Sequence, residues 1–476
     1  MNNIIIDSPE NAILGLLNND NQIRYYAAWW LGKHQVQSAL IPLCDALKDT
    51  QYRTEQGGYP LRRQAARALA ELKNPNSVTA LLAALECDDL RLKEAVINAL
   101  AKIGDRSVIP ALINLLESPE SQPLEVLIEA LGTLEVWEVK AQITQFLDHP
   151  SERVQCAVAR YLFLCTKESQ YIDRIIQNLN HENMYLRWAA AFDLGAIGHL
   201  EAAKAILNAP VGNSLKLLNL KRLLSTLLEG ELQENKAENI KFLLNAIDNL
   251  LMDKMLIADQ VSDIEINLDN MELINQLQKA VIPSEIIPIV QELTNRKIID
   301  LMPILLQMLS HHHPAISTVA IEGLVKLAPY SVLPLIEYFK TCLDHGIQAF
   351  IIQALAQIGD IRALETLLNV VGVEVANHCQ GSVRRVAALG LGNIGNNTND
   401  ISMINACIDK LKWALFNAED WALRYASVVA LENISREIAK PIFQAALITE
   451  LDPIVKIRMN NYSGSTHSED DKKPGF

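Results

Sequence analysis

The stretch VRRVAALGLGNIGN, residues 383–396, decides the fold, because it recurs along the chain in variant form. It returns as LRRQAARALAELKN (61–74), LRLKEAVINALAKIGD (90–105), LRWAAAFDLGAIGH (186–199), IQAFIIQALAQIGD (347–360) and LRYASVVALENIS (423–435). Each copy places apolar residues at helical spacing, which predicts a short amphipathic helix. The small-residue run marks where two helices approach closely, and the closing Gly, Asn or Lys marks a helix stop. Between copies lies a second helical pattern, as in SALIPLCDALKD (38–49) or RSVIPALINLLES (106–118). A period of about 30 to 40 residues is that of a helical-pair solenoid. One such pair cannot bury its own apolar face, so pairs stack into a superhelix with a concave groove. The expectation is an all-α, HEAT-like or armadillo-type α-solenoid with two arms, whose groove carries the function.

Composition narrows the function. The 476 residues are 50% hydrophobic but only 5% aromatic, and the formal net charge is −14. A nucleic-acid binder would present a basic face, and this chain offers none. No apolar stretch of spanning length and no leader pattern is found, which predicts a soluble intracellular protein in the cytoplasm without membrane insertion. The seven cysteines form no CxxC pair and no disulfide framework, and most sit inside apolar helical patterns as buried thiols.

About seven helical pairs fill an N-terminal arm over residues 1–230. The glycine stops and alanine runs then vanish, and residues 231–296 read as an irregular helical connector that sets the arms at an angle. Repeats resume over residues 297–459, and the polar tail, 460–476, has no core to join. Two insertions break the short connections: TQYRTEQGGYP (50–60) and NVVGVEVANHCQGS (369–382). Each carries Gln-Gly closely followed by a helix with a double arginine: Gln56 before Arg62 and Arg63, and Gln380 before Arg384 and Arg385. Insertions gather on one face of such arrays, often the binding face. The two therefore read as a duplicated ligand grip on one concave side.

Paired guanidinia suit carboxylates, which they hold bidentately. The alternative role for an arginine near the start of a repeat helix is a bond to an acidic residue of the next repeat. Aromatic side chains supply a second signal. IRYYAAWWLGKH (23–34) sets Tyr25 with Trp29 and Tyr26 with Trp30, and Trp188, Trp421 and Tyr425 repeat the theme on other helices. In so aromatic-poor a chain they point to a flat apolar ligand, and gap-filling core packing is the alternative. Asp420 and Arg424 flank Trp421. Asp193, Asp420 and Glu55 are candidate groove carboxylates. Asn377-His378-Cys379-Gln380 offers the one adjacent His–Cys pair in either insertion, suited to proton transfer because both titrate near neutrality. It is too small for a metal site, and none is expected. Tyr52, Arg53, Glu55, Gln56 and Tyr59 make the early insertion look built for binding.

YRTEQGGYPLRRQAARAL, NHCQGSVRRVAALGLG and EDWALRYASVVAL together resemble the E/F-type phycobilin lyases, in particular the large single-chain members that act on phycoerythrin. The resemblance covers the chain except its tail. NHCQGS also resembles NHCQGN, the motif linked with isomerisation in the lyase-isomerase that makes phycoviolobilin, with Ser382 as the departure. The resemblance implies an enzyme with no permanently bound cofactor. Its substrate would be an open-chain tetrapyrrole, phycoerythrobilin, and its acceptor a cysteine of a phycobiliprotein subunit, phycoerythrin. It implies arginines for the propionates, aromatic walls for the conjugated system and a carboxylate, Asp193 or Asp420, for the pyrrole N–H groups. A helper lyase protein is a further partner to consider. Two alternatives stay open: a lyase-isomerase yielding phycourobilin, and a non-catalytic repeat scaffold.

Overall fold

The computed structural model describes residues 6–118, 121–229, 235–251, 268–280, 282–372 and 380–463. Among these residues the chain forms twenty-seven α-helices and no β-strand, so the all-α solenoid is what the sequence folds into. Two compact units divide it, one ending at Val211 and the other beginning at Gly212.

In the first unit, six helices pack in sequence against one another: α1 (Asn21–Lys33), α2 (Pro60–Leu72), α3 (Leu90–Ile103), α4 (Leu124–Thr133), α5 (Glu152–Thr166) and α6 (Met184–Ile197). Shorter helices between them, such as Leu40–Ala46 and Val78–Ala84, form the second layer. The repeat pattern explains the packing. On α2, Leu61, Ala65, Ala66, Ala68, Leu69 and Leu72 are all buried. The expected stops hold at Gly104 and Gly198, whose positive φ of 79° and 73° ends α3 and α6 in the left-handed conformation that lacks a penalty only for glycine.

The second unit opens with a hairpin of α7 (Asn213–Glu229) and α8 (Lys236–Leu251). Its repeat layer follows as α9 (Pro283–Asn295), α10 (Pro314–Lys326), α11 (His345–Ile358), α12 (Gln380–Asn397) and α13 (Trp421–Ile434), with α14 (Pro453–Ser463) after them. The stretch 383–396 lies within α12, where the glycines are contacts rather than stops. A Cβ on Gly390 would come within 2.8 Å of the Ala356 backbone on α11, and one on Gly392 within 2.8 Å of the Ala430 backbone on α13. One helix is thereby clasped on both sides at near-backbone distance.

The boundaries differ from those drawn on the sequence. The one division falls at Val211, not after residue 230, and the described helices within 231–296 group with the second unit. α8 packs on α13, α7 packs on α14, and α9 already belongs to the array before residue 297. The local pattern gave no glycine stops here because these helices cap or begin an array rather than continue it. The triple histidine before α10, His311, His312 and His313, is exposed as a turn should be.

Candidate functional site

The early insertion closes on itself. The Thr54 and Gly58 backbones bond at 2.8 Å, Gly57 N–H donates to the Thr54 carbonyl at 2.9 Å, and Gly57 takes φ 82°. Tyr59 then caps α2, with its ring faced by two guanidinia, Arg53 at 5.4 Å and Arg62 at 5.0 Å. Such stacking orients a cation without neutralising it. Arg62 also donates to the Leu47 carbonyl at 2.7 Å.

Arg63 has a different partner. It grips Asp89 bidentately, Nε to Oδ2 at 2.9 Å and Nη2 to Oδ1 at 2.8 Å. Asp89 is the N-cap of α3 and also accepts from the backbone of Tyr59, Arg91 and Leu92. Burial alone would raise its carboxyl, but the bonds from Arg63 and Tyr59 outweigh that and hold it below the ordinary carboxylate range. Beside this anchor lies a cleft of about 610 Å³, lined by Arg53, Thr54, Gln56, Arg63, Asp88 and Arg91 among others. Three guanidinia face two carboxylates there, a local excess of positive charge in an acidic protein. The volume lies in the range of small-molecule sites. Gln56, which lines it, and Glu55 are exposed, and Tyr52 is half-buried against the core.

The late double arginine repeats this arrangement. Arg384, only 8% exposed, donates to the Val371 carbonyl at 3.3 and 3.0 Å, as Arg62 does to Leu47. Arg385 donates to Asp420 at 2.7 Å, and Asp420 is the N-cap of α13, accepting from Ala422 N–H. The duplication expected from the sequence is therefore real at the level of side-chain partners. Its content is corrected: the first arginine of each pair ties down the preceding helix, and the second clasps the cap of the next repeat helix. These are the inter-repeat bonds weighed as the alternative to propionate binding.

Several candidates find structural partners instead of a groove. Asp193, 1% exposed, pairs with Arg160 at 3.5 Å and is not a surface carboxylate. Burial, then the Asp193 charge, pushes the neighbouring Cys156 thiol up to about 11, which leaves it unreactive. Tyr425, 0% exposed, donates to Asp248 at 2.7 Å and is core rather than ligand wall. Burial and Asp248 push its hydroxyl well above the ordinary value, so it remains a donor. Arg424 is held bidentately by Glu450 at 2.8 and 2.9 Å. Trp421 is half-buried, with the Lys221 ammonium 4.3 Å from its ring centre and Tyr425 edge-on.

Trp188 behaves differently. It is 44% exposed on α6 and meets the exposed Tyr185 edge-on at 5.7 Å, with Phe192 exposed one turn further along. On α1, Tyr26 stacks on Trp29 at 5.2 Å and Trp30 on His34 at 4.0 Å, so the pairing is not the Tyr25–Trp29, Tyr26–Trp30 register read from spacing. Asn377, His378 and Cys379 lie outside the described residues, as does the side chain of Gln380. The expected placement of both insertions on one concave side falls on residues outside those described. Sequence reasoning missed Asp89, Arg160, Asp248 and Glu450. Asp89 carried a signal, since an aspartate directly before a repeat helix is an N-cap.

Fold and site define an α-solenoid of HEAT-like repeats with two insertions, each followed by a helix that carries a double arginine near its start. Residues 57–132 match the HEAT repeats, and residues 23–49 and 186–209 match the PBS lyase HEAT-like repeat. The bilin biosynthesis protein PecE of Mastigocladus laminosus is 62% identical over 52% of this chain and 95% of its own length. PecF of the same organism is 47% identical over 40% of this chain and 91% of its own length. The phycocyanobilin lyase subunit alpha of Nostoc sp. strain PCC 7120 is 41% identical over 47% of this chain and 86% of its own length. The chain belongs to the E/F-type bilin lyase family.

Proposed function

We propose that the protein binds an open-chain tetrapyrrole, phycoerythrobilin, and attaches it to a cysteine of a phycobiliprotein subunit, phycoerythrin. The observation that carries this reading is the 62% identity to a bilin biosynthesis protein over nearly all of that protein's length. The reaction adds a thiol across the exocyclic double bond of ring A. Sulfur bonds the ethylidene carbon, the thiol proton ends on the adjacent ring carbon, and nothing is oxidised or reduced. The protein's task is to hold the two partners at attack distance and polarise the conjugated system. The positive cleft beside Arg53 and Arg91 suits a propionate, and the exposed Tyr185–Trp188 pair suits the flat chromophore face.

Co-expression with candidate subunits and bilin synthesis tests it. The expected result is a covalent, fluorescent adduct on one mapped cysteine, and an unchanged bilin spectrum with unmodified subunits would return the chain to the scaffold reading. A second reading, attachment with isomerisation to phycourobilin, is favoured by the resemblance of NHCQGS to the NHCQGN motif. Shifting a double bond requires a proton removed at one carbon and delivered at another, a role suited to His378 and Cys379. A product absorbing in the blue-green rather than as erythrobilin, lost in His378→Ala, supports that reading.

A further inference from the structure

Helix α3 contributes to two cavities of opposite character. Arg91 lines the positive cleft already described, and Glu94 lines a second cavity of about 460 Å³. Residues three apart lie on one face of a helix, with their Cβ atoms about 5–6 Å from each other. Among the described residues neither side chain has an ion-pair or hydrogen-bond partner. The second cavity is walled by Leu116, Leu124 and Phe146, whose ring meets His149 edge-on at 6.3 Å. The other carboxylate that lines it, Glu125, is already neutralised by Arg153. Glu94 is half-buried, so it is an acceptor drawn partly out of water and left without a donor. Such a group costs stability until something bonds it.

We propose that Glu94 accepts hydrogen bonds from the pyrrole N–H groups of the bound bilin, beside the propionate held in the Arg91 cleft. The assignment rests on the tetrapyrrole reading. The carboxylates first considered for this role are occupied, Asp193 by Arg160 and Asp420 by Arg385. The inner rings of a linear tetrapyrrole carry N–H on one edge and a propionate on the other. An open carboxylate and an open guanidinium on one helix face match that pair of groups, and the apolar walls suit the ring between them. The rest of the chromophore then runs along the array in the direction of Trp188. In the neutral bilin one nitrogen is an imine and the others carry hydrogen. A carboxylate against them favours the cation whose imine has taken a proton from water, because charge-assisted hydrogen bonds are the stronger kind. The positive charge spreads through the conjugated chain to ring A and makes the ethylidene carbon a better target for the thiol. No bond to Glu94 forms, and nothing is oxidised or reduced.

The test titrates phycoerythrobilin into the full chain, as wild type and as Glu94→Gln, and reads the visible absorption band. Protonating a bilin moves that band to the red. The wild-type complex should show the shift. Glu94→Gln, equal in size but unable to balance a cation, should bind roughly tenfold more weakly and without the shift. Glu94→Asp keeps the carboxylate on a shorter arm and should retain the shift at reduced affinity. Both variants should match the wild-type helical circular dichroism, since Glu94 has no bond to lose. A red shift kept in Glu94→Gln, whatever its affinity, would overturn the assignment and leave the tetrapyrrole reading standing. A wild-type chain that leaves the bilin spectrum unchanged would overturn that reading, and the assignment with it.

Discussion

At the scale of single residues, Asp89 concentrates the most interactions. It caps a helix, clasps Arg63 and receives the backbone of the insertion. Removing it would leave Arg63 unpaired and α3 uncapped, a loss of about 3 kcal/mol. The pH dependence follows from its depressed folded pKa. The unfolded carboxyl titrates near 3.9, so the stabilisation is complete above that value and disappears as pH falls through the lower folded value. Asp49, beside Arg24, and Glu450, beside Arg424, are depressed in the same sense. Melting temperature should therefore drop steeply below about pH 4, and Asp89→Asn should flatten that drop while lowering stability at neutral pH. A melting curve for the variant as acid-sensitive as wild type would contradict this. Gly58 is the companion case. A Cβ there would lie 2.2 Å from Arg63 Nη2, and Arg63 cannot swing away without releasing Asp89. Gly58→Ala should cost about 2 kcal/mol in denaturant titration, with most of the loss absent when Arg63 is already Ala.

At the scale of elements, the helix α12 is clasped closely on both sides. Gly392→Ala would gain up to about 1 kcal/mol of helix propensity but force a Cβ against the Ala430 backbone, where overpacking costs about 1–3 kcal/mol. The net effect is destabilising, whereas Gly381→Ala, whose nearest neighbour would be Arg385 Nη2 at 3.7 Å, should not destabilise. Unfolding midpoints of the two variants decide it. These elements were legible because repeat helices advertise themselves locally: small residues and apolar spacing recur from copy to copy, with a glycine stop at Gly104, Gly198 and Gly359. The arginine partners were half legible. A double arginine near a helix start admits a ligand or a neighbouring cap, and spacing alone does not choose. Asp193 and Tyr425 were misplaced for a deeper reason. Their partners, Arg160 and Asp248, sit on other helices, the latter 177 residues away, and periodicity reports which face is apolar but not what covers it.

At the scale of the whole molecule, the net charge of −14 bears on recognition. If the proposed acceptor subunit is itself acidic, like charge gives no long-range attraction, and docking then depends on shape and local contacts. Raising salt to physiological strength should leave acceptor binding unchanged or strengthen it by screening repulsion. A steep fall in pull-down yield with salt would point to a basic docking patch.

The far-end docking of α7 and α8 has a consequence for the protein's birth. The hairpin leaves the ribosome well before its cover exists, because Tyr425 is made 177 residues after Asp248. At about 5–20 residues per second, its row of Leu243, Leu244, Ile247 and Leu251, buried in the folded chain, stays uncovered for roughly 9–35 s of translation. A nascent chain with that surface bare is a client for holdase chaperones, and slower synthesis lengthens the exposure.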